Sequence, residues 1–192
     1  MSDLARQIVA AGHRGDPSPA LAELTNPEAA VRIAALGALA RCRALEDHHL
    51  AAAIRDPEAA ARRRAVELAV AHPSIPLGPS LRDSDPLVAD TAAWACGERV
   101  SLSDEDFAEL ITCATDHPDP VCRESAVAAL GAIGDPRALD TILAATNDKP
   151  AVRRRAALAL APFDGAAVEQ ALHRLLEDRD WQVRQAAEDL LG

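Results

Sequence analysis

Asp178-Arg179-Asp180-Trp181-Gln182-Val183-Arg184-Gln185-Ala186-Ala187-Glu188-Asp189-Leu190-Leu191 decides the fold, because variants of this phrase occur five times upstream of it. Val183, Ala187, Leu190 and Leu191 fall at i, i+4, i+7 and i+8, which is one face of a helix. Asp178 and Asp180 stand where a helix start favours an acid or a cap. So narrow an apolar stripe is stable only when a neighbouring helix covers it.

Aligning the Val-Arg pair places the copies at Val31, Ala61, Val88, Cys122, Val152 and Val183, at intervals of 30, 27, 34, 30 and 31 residues. Four positions after each anchor stands an alanine: Ala35, Ala65, Ala92, Ala126, Ala156 and Ala187. A period near 30 with variation at the loops is the signature of a helical repeat, in which each helix pair leaves a face that only its neighbour can bury. The reading is an all-α fold, an α-solenoid of about six helical pairs. Residues 1–192 are taken as one repeat domain, with inner helices near 27–41, 57–71, 86–99, 118–133, 149–161 and 180–191.

Between the copies, proline, glycine and aspartate mark where helices start and stop. Pro27 is expected in a helix first turn, and a first helix is expected over residues 2–12. The regularity fails at His72-Pro73-Ser74-Ile75-Pro76-Leu77-Gly78-Pro79, where no full outer helix fits and one turn at most is expected over 79–82. Ser103, three residues before Asp106, reads as the cap of the next outer helix.

Composition sets the class of partner. Hydrophobic residues make up 49% of the chain but aromatics only 2%, so the core must rest on small side chains and close helix approach. The formal net charge of −10 argues against sequence-independent attraction to nucleic acid or to anionic membranes. Arginine is favoured over lysine in a pattern that suggests a bacterial source with a GC-rich genome. Four cysteines without paired spacing, no apolar run long enough to span a bilayer and no leader-like start suggest a cytoplasmic protein.

The Val-Arg phrase with alanine at plus four and a Leu-Gly ending, followed by Gly134-Asp135-Pro136-Arg137-Ala138-Leu139, resembles the short HEAT-like repeats first grouped with phycobilin lyase subunits. That resemblance covers nearly the whole chain. It implies the solenoid but leaves function open, since such repeats serve scaffolds, chromophore lyases, hydroxylases and DNA repair enzymes. It also implies a ladder in which an Asp or Asn of each turn bonds an Arg six residues on: Asn26 with Arg32, Asp56 with Arg62, Asn147 with Arg153, and Asp178 with Arg184. His117 with Arg123 would be a weaker rung. Copy three departs from the pattern, since Asp83 faces Ala89.

The inner helices should line a concave face, with plus two, plus five, plus six and plus nine turned to it. The candidate partner-binding residues at these positions are Arg63 and Glu67 in copy two, Asp90 and Trp94 in copy three, Glu124 in copy four and Arg154 in copy five. Trp94 beside Glu67, Asp90 and Glu124 would form an acidic, aromatic patch suited to an Arg- or Lys-bearing partner, and core packing of Trp94 is the competing reading. Cys113, His117 and Cys122 could supply three metal ligands, but no fourth is evident and two of them sit at apolar positions. No His-Glu dyad, glycine-rich phosphate loop or activated nucleophile is present.

The expectation is therefore a scaffold or adaptor without catalytic residues, cofactor or metal, binding a protein or peptide segment on its concave face. It would be a monomer or a homodimer. An enzyme acting on nucleic acid, of the alkyl-base glycosylase type, and a chromophore lyase or chaperone are the alternatives.

Overall fold

The 49% of hydrophobic residues, mostly small and spaced at helical intervals, produce thirteen α-helices and no strand among residues 2–192, which the computed structural model describes. The chain forms two compact units, Met1–Pro76 and Leu77–Gly192, divided within the proline-rich stretch. All twelve anchor and plus-four residues of the six copies are buried.

The first unit holds α1 (Asp3–His13), α2 (Ser18–Ala22), α3 (Ala29–Arg41), α4 (Asp47–Ala53) and α5 (Ala59–Ala69). Helix α1 packs along α3 and α3 along α5, while α2 and α4 support α3 and α5. The core joins Ala5 and Ile8 of α1 to Ala20 and to Val31, Ala35, Ala38 and Leu39. Helix α1 thus takes the place of an inner helix without carrying the Val-Arg phrase. What lets it in is Gly12: a Cβ there would lie 2.8 Å from the Ala38 Cβ.

The second unit holds α6 (Gly78–Leu81), α7 (Pro86–Glu98), α8 (Asp104–Asp116), α9 (Pro120–Ile133), α10 (Leu139–Ala145), α11 (Pro150–Ala159), α12 (Ala166–Leu175) and α13 (Trp181–Leu191), with a 3-10 turn at Pro136–Ala138 before α10. Helices α7, α9, α11 and α13 pack in succession, backed by α8, α10 and α12. Burial contributes only about 0.8 kcal/mol per CH2, so an alanine-rich interior needs many contacts at short range. Glycine supplies the range: a Cβ on Gly131 would sit 2.6 Å from the Ala159 Cβ, and one on Gly97 3.1 Å from the Ala129 Cα.

Two helix starts differ from the sequence reading. Pro27 and Pro57 precede α3 and α5 rather than opening them, because the side chains of Asn26 and Asp56 capture the amides of Glu28 and Glu58 (2.8 and 2.9 Å) in tight turns that delay the helix. Pro86, Pro120 and Pro150 do open their helices.

Helix α6 is the single turn that the prolines leave. Buried Asp106 of α8 holds it in place, accepting the amides of Leu77 (3.0 and 3.1 Å) and Gly78 (2.7 Å). The buried guanidinium of Arg99 lies 3.5 Å from the same carboxylate. Burial lowers the Arg99 pKa, and the nearby Asp106 charge acts in the opposite direction. Ser103 caps α8 by accepting the Asp106 amide at 3.1 Å.

The ladder is built across repeats, which corrects the pairing expected from the resemblance. Arg32 donates to the backbone carbonyl of Asn26 at 2.7 Å, while its fork grips the carboxylate of Asp56, the next turn, at 2.7 and 2.6 Å. Arg153 does the same with the Asp148 carbonyl (2.7 Å) and the Asp178 carboxylate (2.7 and 2.7 Å), so Asn147 is not its partner. Arg123 joins the His117 carbonyl to Asp148. Arg62 and Arg184 donate to the carbonyls of Asp56 (2.9 Å) and Asp178 (2.7 Å). The turn aspartates Asp56 and Asp178 close their own turns on the amides of Glu58 and Asp180 and at the same time accept the fork of the arginine one repeat earlier. At copy three Ala89 is a buried methyl and supplies no guanidinium.

Candidate binding surface

The inner helices of the second unit present three rows of side chains. On α7, α9 and α11 plus five is not among them: Ala93, Val127 and Ala157 are buried. This divides the expected lining by register, leaving plus two, plus six and plus nine.

The plus-six row reads Trp94, Ala128 and Leu158 on α7, α9 and α11. Trp94 is 47% exposed and Leu158 39%, so the indole is a surface group and not part of the core. It borders a depression of about 320 Å³ lined by Gly97, Ser125, Ala128, Ala129, Ala132 and the ends of Glu98 and Arg155. The plus-nine row, Gly97, Gly131 and Ala161, is small because Gly97 and Gly131 touch the next helix backbone.

The plus-two row carries the charge, most of it already matched. Asp90 accepts a hydrogen bond from the Ser125 hydroxyl. Glu124 lies 3.4 Å from Arg154 and 3.6 Å from Arg155. The two carboxylates expected in the second unit therefore differ in surroundings: Asp90 has a hydroxyl donor and Glu124 has two guanidinium groups nearby. These cations come from a helix one repeat away, which is why spacing within a copy does not announce them. In the first unit, Glu67 of α5 pairs with Arg63 at 3.5 Å and Arg64 at 2.9 Å on its own helix. Such partly exposed pairs contribute about 0–1 kcal/mol and leave both groups open to exchange partners.

Other candidate chemistry resolves into structure. Burial pushes the thiols of Cys96 and Cys113 up to about 12 and that of Cys122 up to about 11, so all three are protonated and unreactive at neutral pH. Cys122 directs its thiol to the Pro86 carbonyl at 3.2 Å, and His117 Nδ1 accepts the Asp119 amide at 3.1 Å. No group of three or more His, Cys, Asp or Glu placed to hold a metal ion occurs among the described residues. No described helix is long and apolar enough to cross a membrane. Trp181, the first residue of α13, is 65% exposed.

Inner helix packs on inner helix from one repeat to the next, and residues 76–161 fit the family model for HEAT repeats. That stretch, a little under half of the chain, carries HEAT repeats. A stretch of 110 residues is 36% identical to phycocyanobilin lyase subunit beta of Nostoc sp. (strain PCC 7120), covering 50% of this chain and 54% of that protein. The chain thus spans about half the length of this curated relative. Among solved structures, a designed armadillo repeat protein in complex with the peptide (KR)4 has a TM-score of 0.50 at 20% identity, over 99% of this chain and 88% of that one. An engineered protein from a structural genomics programme has a TM-score of 0.48 at 22% identity, covering 97% and 82%. The armadillo match is one of fold, an armadillo-like helical repeat solenoid.

Proposed function

We propose that this HEAT-repeat chain is a non-catalytic scaffold that binds a protein or peptide segment on the inner-helix face of its second unit. The observation that carries the reading is Trp94, a large ring 47% exposed at the border of a depression lined largely by glycine and alanine. Large aromatic side chains set in small-residue surroundings are the usual anchors of protein interfaces, because they bury much area at little cost in entropy. Leu158, one helix further along the same row, extends the apolar stripe, and Asp90, Glu124 and Arg154 form a charged margin beside it. Arg63 and Glu67 hold the corresponding positions on α5 of the first unit. A segment with one apolar side chain for the depression and polar groups of both signs on its flank fits this surface better than the purely basic one expected from sequence.

The test uses the chain's own fluorescence. With Trp181→Phe, Trp94 is the sole tryptophan. Peptides selected from a display library against the full chain should shift its emission to the blue on binding, and Leu158→Asp should abolish the shift. Selected peptides that bind without changing Trp94 emission would refute the assignment of this face.

The similarity to phycocyanobilin lyase subunit beta favours a second reading, in which the same face holds an open-chain tetrapyrrole. Trp94 would stack on a pyrrole ring and Arg154 or Arg155 would meet a propionate. Visible absorbance retained after gel filtration of the chain mixed with a bilin, and lost in Trp94→Ala, would support it. Unretained absorbance would leave the peptide reading in place.

A further inference from the structure

A second cleft, of about 480 Å³, lies in the second unit between the turn that precedes α7 and the end of α8. Its place in the repeat is defined by comparison with a cleft of the first unit. Counted from the buried anchors, Leu81, Arg82, Asp83 and Ser84 repeat the offsets of Leu24, Thr25, Asn26 and Pro27. On the opposite wall Cys113, Asp116, His117 and Pro118 repeat those of Ala52, Arg55, Asp56 and Pro57. The two clefts are the same position in two copies.

They differ in what fills and surrounds them. In the first unit Arg32 lines the cleft, and its guanidinium joins the Asn26 carbonyl to the Asp56 carboxylate. In the second, the residue at that register is Ala89, and His117 replaces the aspartate. His117 still closes the turn, taking the Asp119 amide as Asp56 takes that of Glu58, so the turn survives while the rung is lost. The walls have also changed sign. Where the first cleft has His48 and Arg55, the second has Glu109 and Asp116. Asp116 and Asp119 line it together with Glu109, which pairs with Arg82. The repeat that supplies no cation has acquired the charge to attract one.

We propose that this cleft receives the side chain of an arginine supplied by a partner protein, in the one copy that has no rung arginine of its own. The guanidinium would lie against Asp116 and Asp119, and its aliphatic stem would cover Leu81, Pro86 and Pro118. A planar group with several donors suits carboxylates on more than one wall, whereas a lysine ammonium offers a point charge. The cleft is separate from the Trp94 surface, so either assignment can fail without the other.

The test is an NMR titration of the full chain with capped Gly-Arg-Gly and capped Gly-Lys-Gly. The arginine peptide should give saturable shifts centred on the amides of residues 116–119, with lysine weaker on the order of tenfold. Asp116→Asn should weaken arginine binding, and Ala89→Arg with His117→Asp, which rebuilds the rung from within, should abolish it. If the double variant does not fold, Asp116→Asn alone decides. Equal response to both peptides, shifts centred elsewhere, absence of saturation, or undiminished binding to Asp116→Asn would overturn the proposal.

Discussion

Replacing Arg153 with alanine isolates one rung of the ladder. The side chain is about 10% exposed and makes three donor contacts at 2.7 Å, two to the Asp178 carboxylate and one to the Asp148 carbonyl. Its loss leaves Asp178, itself about 11% exposed, with the Asp180 amide at 2.8 Å as its remaining donor. Removing one partner of a nearly buried pair costs about 3 kcal/mol, mainly because the surviving charge is stranded. Removing both should cost less than the two single changes together, with a coupling of about 1–3 kcal/mol. Urea unfolding of Arg153→Ala, Asp178→Ala and the double variant gives these quantities. Arg179→Ala, on an exposed neighbour, is the control and should stay within about 0.5 kcal/mol. A cost for Arg153→Ala no larger than the control, or strict additivity in the cycle, would refute the claim that rungs tie successive repeats together.

Four further outcomes follow from the same geometry. The Asp148 and Asp178 carboxylates are held below the ordinary range by bonds from Arg123 and Arg153, and in Asp56 the Arg32 bond and other donors outweigh the upward push of burial. A carboxylate depressed by folding contributes stability that is complete above its unfolded pKa, about 3.9, and is lost as pH falls through the folded value. Melting followed by circular dichroism should therefore hold near neutrality and fall below about pH 4, less steeply in Arg153→Ala. Gly131→Ala, whose Cβ would meet Ala159 at 2.6 Å, should cost about 1–3 kcal/mol in urea unfolding, whereas Gly37→Ala meets only the mobile end of Arg64 at 3.4 Å and should be neutral or stabilising. Asp106→Ala should speed hydrogen exchange at the Leu77 and Gly78 amides before it affects α11 or α13. If the chain is one cooperative domain, circular dichroism and Trp94 fluorescence should report a single coincident unfolding transition across both compact units.

Much of the architecture was legible because the period carries it. Val31, Ala35, Val183 and Ala187 announce which side of each inner helix is covered, and the three prolines from Pro73 to Pro79 announce the shortened outer helix. Helix α1 was legible as a helix but not as an inner one, since its signal is a single glycine opposite Ala38. The ladder arginines were visible while their acceptors were not. A backbone carbonyl leaves no mark on sequence, and Asp56 and Asp178 serve arginines 24 and 25 residues earlier. The candidate surface was obscured in the same way: Trp94 stood out, but Arg154 and Arg155, which neutralise Glu124, come from the neighbouring repeat. Asp106 read as part of a helix start, and only the folded chain brings the Leu77 and Gly78 amides to it.

The central claim, that the Trp94 face is where a partner is met, is tested most directly by photo-crosslinking in cells of the source organism. A photoreactive residue is placed at position 158, in the same row as Trp94, and, as a control, at exposed position 170 on α12. The account predicts one defined adduct from position 158, lost when Trp94 is changed to Ala, and none from position 170. Adducts from position 170 alone, or an adduct from position 158 that survives Trp94→Ala unchanged, would contradict it.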